Sequence, residues 1–354
     1  MNDPIREETS MLDRRSLMLA SAAVTAAATL AAPSVIRAQT PRTIRYTHFQ
    51  PGRLDQPKHA AALAFKSTVE TLTGGKLVVN IFPAGQIAPA QQVMEQLKLG
   101  SLDMAVVHDG GIAGVYPPFM VFGLPFVWET QPVAWKVLDG AFGAEMADDM
   151  RRRASIRLLA YADNGVRHFT NSKRPIVTPD DMKGMKIRVQ PSPVFVKLVE
   201  SLGASASAID WGELPAALAQ GTVDGQENGV TNILAASLYQ HQKYITLDGH
   251  VYSLHAYLFA DRVWGRLSNE ERAAIGQGVE IAKVIHRGMT TAQDANAETI
   301  LKEKGMTVQR LTGAQIDAFR KPSQPAVRAW LDGEIGKDWS EKLLAATATA
   351  QRSA

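Results

Sequence analysis

From Ile44 to His108 the chain alternates strand and helix signals, and that alternation restricts the possible folds more than any other feature. Ile44 to His48 is a short strand candidate broken by Gln50-Pro51-Gly52. Lys58 to Thr73 then carries Ala62, Phe65, Val69 and Leu72 at helical spacing, and Gly74-Gly75 ends the run. Lys76 to Phe82 is rich in β-formers, and Pro83-Ala84-Gly85-Gln86 is a turn. A second helix is predicted from about Pro89 to Leu99, with Gly100 as its cap. Asp103 to His108 follows as a strand apolar enough to be buried on both faces. A β-α-β-α-β order of this kind predicts an α/β fold around a sheet with a parallel core.

Composition narrows the functional class. With 354 residues there is room for two domains. A net charge of +3 and 7% aromatics, with no basic stripe, exclude a nucleic-acid binder. The absence of cysteine excludes disulfides, thiolate nucleophiles and thiolate metal sites. At the N-terminus, Arg14-Arg15-Ser16-Leu17-Met18 precedes an Ala- and Leu-rich run to Ala32, then Pro33 and Ile36-Arg37-Ala38. The run is too short to span a bilayer well. Residues 1–38 therefore read as a signal peptide of the twin-arginine type, cut after Ala38 and leaving an exported, soluble protein. Ile36 is larger than the Ala usual at the third position before such a cut, and a retained anchor is the alternative.

Further on, Gly110 to Trp128 is dense in Pro, Gly and aromatics and reads as a packed irregular segment whose rings fill core. Pro132 to Arg153 is helical, and Ile156 to Tyr161 is a strand. A second unit then begins with a short strand, Val166 to Thr170, that carries Arg167. Thr178-Pro179-Asp180-Asp181 has the form of a helix start. A turn ending in Gly184 leads to a strand from Met185 to Gln190, stopped by Pro191 and Pro193. Alternation puts Met185, Ile187 and Val189 on one face and Lys186, Arg188 and Gln190 on the other. Helices are predicted over Pro193–Leu202 and Glu213–Gln220, and Val223 to Asn228 runs on as strand or turn. Tyr252 to Phe259 is a strand that returns to the first unit. Ser268-Asn269-Glu270-Glu271 is a capping box opening a helical pattern to Lys304, with a bend expected near Gly288. Such a helix can brace two lobes. Gly313 to Leu331 and Trp339 to Ala346 are further helices, with a frayed tail from Thr347.

No local motif supports catalysis. The histidines at 48, 59, 108, 168, 241, 250, 255 and 286 have no metal-ligand spacing. Neither a Gly-x-Ser-x-Gly elbow nor a Walker-type loop occurs. What remains is a polar, cationic set: Arg167, Arg188, Trp211 and Gln226-Glu227-Asn228. The planar fork of Arg188, at the end of a strand, suits a carboxylate. Two neighbouring arginines repel unless an anion lies between them. Asn228 can add a donor, and Trp211 an apolar wall. Blander roles stay open: Arg188 on a solvated strand, Arg167 paired with Asp163 or another acid, Trp211 in the core, Glu227-Asn228 in a turn.

Taken in order, the motifs resemble the extracytoplasmic solute-binding proteins of tripartite ATP-independent periplasmic (TRAP) transporters. The stretches are Gly74-Gly75-Lys76, Phe82-Pro83-Ala84-Gly85-Gln86, Gly100-Ser101-Leu102-Asp103-Met104, Leu124-Pro125-Phe126, Gly165-Val166-Arg167, the 181–189 run through Gly184 and Arg188, Leu202-Gly203-Ala204, and the 220–228 run from Gln220-Gly221 to Asn228. The resemblance covers roughly residues 43–345. It implies a two-lobed periplasmic-binding-protein-like fold with hinge strands and a long bracing helix. The lobes expected are residues 41–164 with 253–292, and 165–252 with 293–346. The implied role is capture of a small organic acid, a C4-dicarboxylate or a sugar acid, for an ion-gradient-driven membrane permease. The implied ligand contacts are Arg188, Arg167, Trp211 and Asn228, with Gln50, Gln86, His108 and Asp109 reading the rest of the ligand. A periplasmic monomer with no cofactor and no catalytic step is expected.

Two departures bear on the ligand. Pro215 stands where the family often has an aromatic, and Asp109-Gly110-Gly111 where small hydroxylated residues are common. An Asp109 facing the cleft favours ligand hydroxyls over a second carboxylate and tilts the expectation toward a sugar acid. Two other classes remain as alternatives: a periplasmic enzyme using Asp109 or His108 as base, or the binding component of a signalling receptor.

Overall fold

The computed structural model describes residues 40–352. The expected signal segment, residues 1–38, lies outside them. The parallel core forms as the alternation predicts. Strands β1 (Arg42–Thr47), β2 (Leu77–Phe82) and β3 (Met104–His108) pair in parallel, β1 lying between the other two. Helices α1 (Pro57–Leu72) and α2 (Ala90–Leu99) connect them. Tyr46, Val79 and Val106 pack against Phe65 and Val69 of α1 in one of three apolar clusters.

The segment after β3 is a one-turn helix, α3 (Asp109–Ala113), and a 3-10 stretch, Pro117–Gly123. Its rings do fill core: Phe119 and Phe122 are buried, with centroids 4.8 Å apart. The single helix expected over Pro132 to Arg153 is two, α4 (Gln131–Leu138) and α5 (Ala141–Ala154), divided at Asp139-Gly140.

Among the described residues, the strands that follow complete one nine-stranded sheet. They are β4 (Ile156–Asn171), β5 (Lys186–Val189), β6 (Ser205–Ala208), β7 (Gly225–Gly229), β8 (Tyr244–Ala260) and β9 (Thr307–Arg310). Their order is β2-β1-β3-β8-β4-β7-β5-β6, with β9 added on β8. Four of them differ from the sequence expectation, which has no strand at β6 or β9. β4 is a single strand of 16 residues where two short ones were expected. β8 runs for 17 residues and begins well before Tyr252. The two pair antiparallel along nearly their whole length, which holds polar stretches in the ladder that would not read as strand alone. Irregularities interrupt the register at Leu158/Ala160, Asp163/Gly165 and Arg167/Phe169. Gly165 sits at the middle one with φ of +102°, a conformation side-chain-bearing residues avoid. Gly165→Ala is expected to cost about 1–3 kcal/mol of stability, read by thermal denaturation.

The expected helix start at Thr178 is one 3-10 turn, Pro179–Met182, with Thr178 and Asp181 forming a capping box. Helices α6 (Pro193–Ser201), α7 (Leu214–Ala219) and α8 (Val230–Ala235) follow. The long helix α9 (Asn269–Ala295) continues through Gly288 without interruption. It stops at Asn296, and a separate α10 (Ala297–Glu303) follows. A glycine with open space around it costs a helix about 1 kcal/mol without breaking it. At Gly278, α9 comes so close to α1 that an added Cβ would meet Phe65 and Val69 at 2.9 Å. The C-terminal helices are α11 (Gly313–Ile335) and α12 (Lys337–Arg352). The frayed tail is not observed through Arg352: Trp339, Leu343, Thr347 and Ala350 form a buried helical stripe. Among the described residues no helix is long and apolar enough to cross a membrane.

Candidate functional site

The carboxyl ends of β1, β3, β5 and β7 converge on one cavity, the place where open α/β sheets meet ligands. Phe49 comes from the end of β1, His108 from β3, Arg188 and Gln190 from β5, and Asn228 from β7. Arg167 and Asn164 come from β4, Lys58 from α1, and Trp211 from the turn before α7. The enclosed volume is about 20 Å³, room for a single water. Two hydrogen bonds lie at its edge: Trp211 Nε1 donates to the Phe49 carbonyl at 3.2 Å, and Gln190 Nε2 to Asp109 Oδ1 at 2.9 Å.

The charges are unbalanced. Arg188 is 2% exposed, and among the described residues its guanidinium makes one hydrogen bond, Nε to the Ile209 carbonyl at 2.8 Å. Burial draws it down to about 10, with Glu227 and Arg167 acting in opposite directions, so it is charged at neutral pH. Arg167 is equally buried but committed. Its Nε and NH2 groups fork onto the Glu227 carboxylate, the NH2 bond measuring 2.8 Å. The acid that relieves repulsion between the two arginines is thus internal, and it serves Arg167 first. Burial alone would push Glu227 up, yet Arg167 and His250 outweigh it and hold the carboxylate below its usual value. Burial likewise pushes His250 down, but the carboxylates of Asp248 and Glu227 hold it at about 9. His250 Nδ1 lies 2.8 Å from Asp248 Oδ2, and Nε2 lies 3.4 Å from Glu227 Oε2.

Neutral donors line the remainder. His108 Nδ1 accepts from the Gly111 amide at 3.1 Å, which leaves the ring hydrogen on Nε2. Burial, then Lys58, Arg188 and Arg167, push this imidazole down to about 3, so it offers an uncharged N–H. Asn228 Oδ1 accepts from Asn232 Nδ2 at 2.9 Å, and among the described residues its own amide hydrogens have no partner. Asn232 also donates to Asn164 Oδ1 at 2.7 Å, and Asn164 to Ser253 Oγ at 2.8 Å. Ser253 in turn donates to Asp109 Oδ2 at 2.8 Å. A continuous chain of side chains from Asn228 to Gln190 is therefore set by one buried carboxylate.

The sequence-predicted residues separate into two groups. Arg188, Arg167, Trp211, Asn228 and His108 line the cavity. Asp109, Gln50 and Gln86 are not among the lining residues. Asp109 lies behind it, occupied by Gln190, Ser253 and the Gly110 amide. It does not face the ligand space, so the tilt toward a sugar acid loses that ground. Gln50 is buried and accepts from the Lys58 amide at 3.0 Å. Gln86 is exposed on the turn after β2. Sequence reasoning missed Lys58, Asn164, Asn232 and His255, all in the lining. Lys58 had a readable signal: with Ala62, Phe65 and Val69 it occupies the buried stripe of α1. A second cavity of about 420 Å³ includes His168, Arg167's neighbour on β4, and the charges lining it are of both signs.

The model for bacterial extracellular solute-binding proteins, family 7, matches residues 52–333. The chain is 31% identical over 324 residues to the uncharacterized protein y4mM of Sinorhizobium fredii, covering 90% of this chain and 58% of that one. Among solved structures, it is similar to the sugar acid binding protein DctPAm of Advenella mimigardefordensis in complex with galactonate, at TM-score 0.84 and 32% identity over 88% and 99% of the two chains. A TRAP periplasmic solute binding protein of Polaromonas bound to D-erythronate matches at TM-score 0.81 and 31% identity, over 87% and 98%.

Proposed function

This chain belongs to the bacterial extracellular solute-binding proteins of family 7, which bind substrates rather than transform them, and from that premise we propose that it captures a small hydroxylated organic acid for a TRAP permease. The observation that carries the reading is Arg188. It is a buried guanidinium at the end of a strand, with one backbone hydrogen bond among the described residues. An isolated buried charge is costly unless something pairs with it. A ligand carboxylate supplies that partner in fork geometry.

The neutral lining supports hydroxyls on the rest of the ligand. Asn164, Gln190, Asn228, Asn232, His108 and His255 are hydrogen-bonding groups without fixed charge near pH 7, and they suit a polyhydroxy chain better than a second carboxylate. The galactonate and D-erythronate bound by similar proteins are acids of this kind.

In this reading the lobes are residues 41–164 with 253–292, and 165–252 with 293–346. They part at Gly165 of β4 and Ser253 of β8, which face each other at a register irregularity. Parting breaks the bonds from Trp211 to Phe49 and from Gln190 to Asp109 and admits the acid; closure removes water and strengthens each charged contact. The protein works in the periplasm, exported by the twin-arginine route. A thermal-shift panel of D-galactonate, D-erythronate and succinate tests the ligand class. At a hundredfold excess over Kd, a sugar acid is expected to add about 2.7 kcal/mol and raise Tm by several degrees. Succinate is expected to do less, and a panel in which no acid moves Tm counts against the reading.

A further inference from the structure

We propose that Lys58 is a second cationic contact for the bound acid, and that ligand binding draws a proton onto its amine. The inference rests on the carboxylate reading above and deepens it. Lys58 is 4% exposed and lines the same cavity as Arg188. Its backbone amide is held by Gln50, but among the described residues its Nζ takes part in no hydrogen bond or ion pair. A buried lysine near two arginines has every electrostatic reason to shed its proton. Burial first, and Arg167 second, draw it down to about 7.

The other charged groups around it do not compensate. Glu227 is engaged by Arg167 and His250. Asp109 is saturated by Gln190, Ser253 and a backbone amide. His48, His108, His255 and His286 all feel the Lys58 charge and are all pushed down, chiefly by burial, so they stay neutral near pH 7. An anion entering the cavity is the missing counter-charge. It raises the affinity of the amine for a proton, and linkage makes the converse true: the protonated amine binds the anion more tightly.

The sign follows. Below about pH 7 Lys58 is already charged and affinity is flat. Above it, binding requires proton uptake, and affinity falls by up to about tenfold per pH unit. His250, held at about 9, keeps most of its charge over the same range.

The test is isothermal titration calorimetry with D-galactonate and with succinate, at about pH 6 and about pH 8.5, in buffers of different ionisation enthalpy. Wild type is expected to bind at least one acid about tenfold more weakly at the higher pH, with a buffer-dependent enthalpy that reports proton uptake. Lys58→Met is expected to bind more weakly at low pH and to lose both the slope and the proton uptake. Its ligand-free Tm should equal or exceed wild type, since an unpaired buried charge has gone, which shows that it folds. A flat wild-type profile, or a Lys58→Met variant that keeps the slope, overturns the role of Lys58 and leaves Arg188 as the anchor. If neither acid binds wild type at either pH, the carboxylate reading itself falls and the inference with it.

Discussion

Arg188→Ala is expected to weaken acid binding by about 30-fold to several thousandfold, the 2–5 kcal/mol typical of truncating one partner of a buried charge pair. The effect should be large because no other group can replace the lost guanidinium. Arg167 has its fork on Glu227, and the remaining contacts apart from Lys58 are neutral. Arg188→Lys should lose much of the affinity too. An ammonium cannot hold a carboxylate through two parallel bonds, and it would also forfeit the contact from Nε to the Ile209 carbonyl. The ligand-free protein should respond in the opposite sense. Arg188→Met removes a buried charge that among the described residues pairs directly with no acid, so its Tm should not fall. Calorimetry that finds wild-type affinity in Arg188→Ala would remove the basis of the binding model. A large loss of ligand-free stability in Arg188→Met would recast the residue as structural.

Glu227→Gln should behave in the reverse manner, as a stability defect first. The carboxylate is fully buried and answers Arg167 through its fork and His250 through a second contact. Removing it strands Arg167 and leaves His250 to Asp248 alone, at a cost of about 3–5 kcal/mol, or on the order of 10 °C in Tm. The pH dependence separates this from a packing defect. Glu227 is held below its usual range, so its contribution is present above the unfolded carboxylate value and fades as pH falls through the folded one. His250 is held at about 9, so its contribution is complete below its unfolded value and fades as pH rises toward 9. Wild-type stability from this group should therefore be greatest between about pH 5 and pH 6.5. In Glu227→Gln the alkaline decline should shrink, with Asp248 alone still facing His250. Thermal denaturation across pH reads both limbs. An unchanged alkaline limb would mean that His250 takes its charge from Asp248 alone.

The parallel core was legible because β1 to β3 and their helices follow apolar periodicity without interruption. β4 and β8 were not, and the reason is the site itself. Asp163-Asn164-Gly165 and Asp248-Gly249-His250 place buried polar groups and glycine inside continuous strands. In a sequence, such groups read as the end of a strand. In the fold they stay in the ladder because Trp135 and Tyr252 donate to Asp163, Asn164 donates to Ser253, and His250 pairs with Asp248. Lys58 was readable from its stripe and was passed over because a charged residue on a helix is taken as solvated even when the stripe around it is apolar. Gln86 belongs to a motif whose visible role is backbone shape. Ala84 and Gly85 adopt φ of 54° and 69°, and a Cβ on Gly85 would sit 3.3 Å from the Phe49 ring. Asp109 could not be placed from sequence because the direction of its side chain is fixed by the one-turn helix it begins.

The paired ribbon of β4 and β8 has a mechanical consequence. No slack tether joins the two ends of the sheet at this point; the chain crosses there as two long strands hydrogen-bonded to each other. Movement of one end against the other has to flex that ribbon as a leaf spring flexes, with Gly165 as its thinnest section. On the proposed lobe division, resting posture and recoil draw on the backbone ladder, and stiffening the ribbon is expected to alter how fast the lobes close before it alters what they hold.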